Sequence, residues 1–192
     1  MDFRYLQESA ATLQELADSP VLRETLSQAE ELLYHTLVGG GKILLAGNGG
    51  SAADCQHLAG ELVVRFRLDR PALAALALTV DTSVLTASLN DFGPDPVFSR
   101  QLEALGRPPD LFWAFSTSGN SSNILRAAET ARRLGLSILV FTGRQGGQLA
   151  QWGDVVFFAP ADATSHIQEC HIAAGHLLCG LLEERLAPSR QA

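Results

Sequence analysis

Five short, unbroken apolar runs constrain this chain more than any other feature. They are Ile43-Leu44-Leu45-Ala46, Leu73 to Leu78, Leu111 to Phe115, Ile138 to Phe141 and Val155 to Phe158. A run with no polar alternation has no side to turn to water. It suits a strand covered on both faces, as in a parallel sheet. Parallel neighbours need long crossovers. The sequence between the runs supplies them, with helical patterns over roughly 51–65, 82–90, 97–105, 121–134 and 147–152, and a long last helix over about 165–186. The expected fold class is α/β, a three-layer αβα sandwich around a five-stranded parallel sheet. Right-handed crossovers then place helices on both faces.

Two helices precede the first run. Phe3, Leu6, Ala10, Leu13 and Leu16 recur at helical spacing, as do Leu22, Leu26, Ala29, Leu33 and Leu37. Ser19-Pro20 between them supplies an N-cap and an N1 proline. Gly39-Gly40-Gly41 ends the second helix. A length of 192 residues fits one domain. The expectation is a single unit over 1–192, with an α/β core at 41–192 and a helical pair at 1–40. That pair exceeds what a sandwich needs, and its apolar stripes suit packing against another subunit.

Composition removes several classes of function. The net charge is -7 and no basic run occurs, which argues against nucleic acid as a partner. No apolar run approaches the roughly 20 residues of a membrane span, so no membrane partner is expected. Met1-Asp2-Phe3-Arg4 lacks a signal-peptide pattern. The three cysteines, Cys55, Cys170 and Cys179, form no C-x-x-C pair and read as small buried hydrophobes. A cytoplasmic location is expected.

In open α/β sheets ligands bind beyond the carboxyl ends of the strands. After the third run comes Ser116-Thr117-Ser118-Gly119-Asn120-Ser121, followed by a helical stripe at Ile124, Ala127, Ala128, Ala131 and Leu134. Hydroxyls and free N–H groups at a helix N-terminus favour an anion such as a phosphate. No lysine is present, so this is not a nucleoside triphosphate loop. After the first run, Gly47-Asn48-Gly49-Gly50-Ser51-Ala52 formally matches the dinucleotide fingerprint. Its acidic partner is misplaced: Asp69 has the spacing but precedes the second run, and Asp81 has the strand-end position but not the spacing. Ser51-Ala52-Ala53-Asp54 also fits a capping box.

His57 and Glu61 follow at i and i+4 and share a helix face, with Arg65 extending the stripe and Asp54 a turn before it. On the last helix Gln168 and His176 are about 80° apart around the axis, and they converge if the helix leans across the site. His171 should face elsewhere, and His166 and His35 have no evident partner. A His, Glu, Gln, His set suits zinc or another divalent transition metal. By composition alone, a solvated face or a hydrogen-bonded core histidine explains the same residues. Glu61 as base and His176 as acid would suit aldose–ketose isomerisation, which moves a proton between carbons beside a carbonyl.

Taken together, the residues from Gly47 to Ala53, His57 with Glu61, Asn90-Asp91-Phe92-Gly93, the loop from Ser116 to Ser121, and Ile167-Gln168-Glu169 followed by His176 resemble the phosphoheptose isomerases of the sugar-isomerase (SIS) family. The resemblance covers nearly the whole chain. It implies isomerisation of sedoheptulose 7-phosphate to D-glycero-D-manno-heptose 7-phosphate for cell-surface heptose, in a homotetramer with sites between subunits. It implies one Zn2+ per subunit, held by His57, Glu61, Gln168 and His176, with Glu61 and His176 also carrying proton transfer. It implies substrate contacts at Asn48, Gly49, Gly50, Ser51, Arg65, Asp81, Ser116, Thr117, Ser118, Ser121 and Gln168. In one place the chain departs from the pattern: an aspartate three residues before the family's glutamine is Ser165 here. Two other uses of the same fold compete with this one. A tetrameric scaffold for the replication initiator DnaA has no need of Glu61 and His176, and a sugar-phosphate sensor needs only the phosphate loop.

Overall fold

The computed structural model of the chain describes residues 3–187. Five strands, β1 (Ile43–Ala46), β2 (Ala75–Ala77), β3 (Leu111–Ser116), β4 (Ser137–Gly143) and β5 (Val155–Ala159), form one sheet in the order β2-β1-β3-β4-β5. Every pairing is parallel. The helices are α1 (Arg4–Asp18), α2 (Pro20–Val38), α3 (Gly50–Val63), α4 (Thr82–Phe92), α5 (Ser99–Leu105), α6 (Ser122–Arg133) and α7 (Thr164–Leu186). The segment expected as a helix over 147–152 is a 3-10 turn, Gln148–Trp152. The second apolar run yields a strand only at 75–77, because it lies at the sheet edge with a single neighbour.

Alternation within the strands divides the core. Every residue of β3 is buried. Leu111, Trp113 and Phe115 point to one face and join Leu33, Leu58, Leu62 and Leu178 from α2, α3 and α7. Phe112 and Ala114 point to the other and meet Ile124, Ala127, Ala128 and Ala131 of α6. Truncating a fully buried aromatic such as Phe112 to Ala would cost about 3–5 kcal/mol.

Ser19 caps α2 by accepting from Leu22 N, with Pro20 at the first helical position. The helical pair finds part of its cover within its own chain: Leu16, Leu22, Leu26 and Leu33 join the core shared with α7, while Phe3, Leu6, Leu13 and Val21 stay exposed. All three cysteines are free and buried. Among the described residues no helix is long and apolar enough to cross a membrane.

Candidate active site at the carboxyl edge of the sheet

The strand order reverses between β1 and β3, which are neighbours although their next partners lie on opposite sides. Such a switch point opens a crevice at the carboxyl ends of the strands. The glycine loop leaves β1 there and the hydroxyl loop leaves β3. They are tied together by two reciprocal hydrogen bonds between side-chain amides, Asn48 Nδ2 to Asn123 Oδ1 and Asn123 Nδ2 to Asn48 Oδ1, each 2.9 Å. A cavity of about 310 Å³ lies beside them, lined by Gly47, Asn48, Thr79, Leu85, Phe98 and Asn123.

The hydroxyl loop is built to leave its helix end open. Ser121 is the N-cap of α6 but makes no side-chain capping bond; its hydroxyl pairs with Ser116 Oγ at 3.2 Å. Ser118 Oγ accepts from Asn120 N, and Thr117 is half-buried. The loop is held from below by its neighbour after β4. Gly143 N donates to Thr117 O, Leu149 N to Gly119 O, and Gln148 N to Asn120 Oδ1. Gly119 has φ +64, and a Cβ there would collide with Gly146 O, so only glycine fits. The uncapped N–H groups and the helix dipole make a site for an anion.

The glycine loop differs from its sequence reading. Gly49, not Ser51, is the N-cap of α3, and it makes no side-chain capping bond. Ser51 is buried inside the first turn, so the expected capping box does not form. The reason is that the helix starts earlier, at Gly50. Asp81 is the N-cap of α4 and accepts from Val84 N.

One turn along α3 the polar face carries His57 and Glu61. His57 Nε2 lies 3.2 Å from Glu61 Oε1 and 2.7 Å from Nε2 of His176, which comes across from α7. Ligand atoms of His57, Glu61 and His176 all fall within 4.8 Å of one another. Burial, together with the charges of His57 and Arg67, lowers the pKa of His176, while Glu61 acts in the opposite sense. A neutral imidazole keeps a lone pair for a cation. Two imidazole nitrogens and a carboxylate converging on one point are a donor set that fits a divalent metal. Phe66 stacks on the His176 ring, with centroids 5.5 Å apart and planes at 18°.

Gln168 is engaged elsewhere. Its Nε2 donates to Asp54 Oδ1 at 3.1 Å, and its amide lies over Gly50, where a Cβ would stand 2.7 Å from Oε1. Burial raises the pKa of Asp54, against the opposing effect of the Gln168 bond. Arg65 does not extend the stripe, because α3 ends at Val63 and Arg65 is exposed in the loop beyond. Ser165 is exposed at the start of α7. Asn123 and Phe66 escaped sequence reasoning. Asn123 could have been found as the residue following the Ser121-Ser122 start of a helix beside a glycine loop; nothing local marks Phe66.

The remaining histidines sort as their positions on the helices require. His171 is fully buried among Phe115, Phe141 and Phe157, with Nε2 bonded to Thr142 O. His166 does have partners: Ser9 Oγ, Glu169 and the Tyr5 ring, which fasten α1 to α7.

An open parallel sheet with ligand loops at its switch point is the class of fold seen here, and a family model for the SIS domain matches residues 4–143. The phosphoheptose isomerase of Akkermansia muciniphila is 55% identical over 161 residues, covering 84% of this chain and 85% of the relative. That of Paramagnetospirillum magneticum is 48% identical, covering 96% and 95%. The solved phosphoheptose isomerase of Neisseria gonorrhoeae superposes with a TM-score of 0.88 at 42% identity, covering 94% of this chain and 96% of that one. The chain belongs to the SIS-domain family, among its phosphoheptose isomerases.

Proposed function

We propose that this chain is an aldose–ketose isomerase that converts sedoheptulose 7-phosphate to D-glycero-D-manno-heptose 7-phosphate. The observation that carries the reading is the convergence of His57, Glu61 and His176 from two helices onto one point. The relatives named phosphoheptose isomerase support the choice of substrate. The loop from Ser116 to Ser121 holds the phosphate. Asn48, Gly49, Gly50 and Ser51 bound the sugar on the other side of the crevice. Arg65 and Asp81 complete the substrate contacts in this reading, although each is exposed at the rim.

A divalent cation, zinc in this reading, would be held by His57, Glu61 and His176, with Gln168 beside them, and would polarise the carbonyl and stabilise the enediolate. Glu61 takes a proton from the carbon next to the carbonyl. The C–H electrons form the enediol double bond, and the former carbonyl oxygen accepts a proton from His176. Glu61 then returns its proton to the former carbonyl carbon, which takes it with the enediol double-bond electrons, while the neighbouring hydroxyl gives its proton to His176 and its O–H electrons form the new carbonyl. One nitrogen cannot hold a cation and a proton at once, so the metal dependence of turnover tells which duty of His176 Nε2 dominates. A homotetramer with sites between subunits belongs to the same reading. The exposed Phe3, Leu6 and Val21 of the helical pair support it.

The test is incubation of the purified chain with sedoheptulose 7-phosphate, with and without chelator, followed by analysis for an aldose product. Conversion in metal-replete buffer is expected. Its absence would refute the reading.

A further inference from the structure

Glu183 carries its carboxylate into the interior of the protein, where its side chain is 1% exposed. The oxygens accept three consecutive backbone N–H groups, from Phe66 at 2.7 Å, Arg67 at 2.6 Å and Leu68 at 2.8 Å. Burial alone would raise this carboxyl's pKa; the three donors and the Arg70 charge together hold it lowered. Arg70, fully buried, faces it with Nε 3.3 Å from Oε1. That is close enough for charge attraction, yet Nε is not aligned for a hydrogen bond. The other nitrogens of Arg70 donate to Leu62 O and Glu61 O at 2.8 Å each, and to Pro71 O at 3.0 Å.

These contacts exceed what a loop connection needs. The last carbonyls of a helix have no helical partner, and water or a glycine turn usually serves them. Here the guanidinium of Arg70 serves them, and the Glu183 carboxylate facing it accepts the amides of the loop that follows, so each buried charge has partners that offset its desolvation. The groups they reach belong to the cluster. Arg70 holds the backbone carbonyl of Glu61 itself, at the end of α3. Glu183, on α7, holds the amide of Phe66, whose ring stacks on His176 of the same helix. The pair thus ties the helix that carries His57 and Glu61 to the helix that carries His176.

We propose that Arg70 and Glu183 are positioning residues for the His57–Glu61–His176 cluster, fixing α3 against α7 and seating Phe66 on the His176 ring. The proposal rests on the reading of that cluster as the isomerase site. Zinc affinity, measured on the full chain by competition with a chromophoric chelator, gives a readout apart from turnover. Four variants decide it, with kcat and KM for sedoheptulose 7-phosphate and melting temperature measured beside affinity. Glu183→Gln and Phe66→Leu should each lower zinc affinity and kcat by about 10-fold or more, the range for groups that orient ligands, with KM within about twofold. Phe66→Tyr should restore both. Leu182→Ala, a fully buried neighbour on α7, should lower the melting temperature and leave zinc affinity at the wild-type value.

Wild-type affinity and kcat in a folded Glu183→Gln, or in Phe66→Leu, would overturn the proposal. So would an equal loss of affinity in Leu182→Ala, which would mark the effect as general destabilisation. Should Glu183→Gln fail to fold, the comparison of Phe66→Leu with Phe66→Tyr decides alone. A wild-type chain that turns over but binds no zinc refutes the cation reading, and the kcat comparison then decides the positioning role. A wild-type chain with neither property overturns both.

Discussion

Nε2 of His57 and Nε2 of His176 face each other across 2.7 Å, with their rings at 78°. At that separation the N–H of one ring can donate to the lone pair of the other, and a divalent ion bound by both at about 2.0–2.1 Å would part the two nitrogens slightly. With the carboxylate of Glu61 beside His57, the three residues offer a donor set that a divalent cation could draw together. Chelator treatment is therefore expected to strip a bound divalent metal and lower the melting temperature. His57→Ala should weaken zinc binding by more than the roughly 10–100-fold lost when an outer group is removed. Metal analysis of the two purified proteins checks this, and equal zinc content would count against the cluster as a metal site.

The loop from Ser116 to Ser121 depends on a conformation that favours glycine at Gly119. Gly119→Ala places a methyl against Gly146 O at positive φ. The expected cost is about 1–3 kcal/mol of stability. KM for the sugar phosphate should also rise, because the loop must shift away from the interlocked segment after β4. Thermal melts and steady-state kinetics test both.

Asn123 locks Asn48 by two hydrogen bonds between side-chain amides, without a charge on either side. Asn123→Ala should cost no more than about 1 kcal/mol, since the pair is exposed to water. It should raise KM more than it lowers kcat, because it frees the side chain at the crevice and leaves the proton-transfer residues in place. A variant with unchanged KM would remove Asn48 from the substrate contacts.

His171 makes the fold acid-sensitive. Burial lowers its pKa to about 4, with the bond to Thr142 O opposing. A histidine in the unfolded chain titrates near 6.5. Between these values the unfolded chain binds a proton that the folded chain does not. Stability is therefore full above about pH 6.5 and falls as the pH drops toward 4. The loss by pH 4.5 is roughly 2–3 kcal/mol from this group. Urea midpoints at pH 7 and pH 4.5 should differ less in His171→Gln than in wild type, and an equal difference would exclude His171 as the cause.

The strands were legible because each is a continuous apolar run that can only be buried on both faces, and β3 is buried throughout. Ser19-Pro20 was legible because it has one local use. The end of α3 was not. Val64-Arg65-Phe66 continues its pattern without a stop, and the device that ends the helix includes Glu183, 117 positions from Phe66. The capping box at Ser51 was misread because Gly49 takes the N-cap position before it. The pairing of His57 and Glu61 follows from an i, i+4 spacing, but bringing His176 to them depends on how α7 crosses α3. Spacing along a single helix carries no such information, so the residues alone give the convergence only on condition that the last helix leans across the site.

Turnover of sedoheptulose 7-phosphate by Glu61→Gln tests the central claim most directly. The amide matches the carboxylate in shape and cannot accept the proton. With the fold intact by circular dichroism, kcat should fall by about 10²-fold or more, the usual contribution of a general base. Turnover within about twofold of wild type would contradict the assignment of isomerisation to the His57–Glu61–His176 cluster.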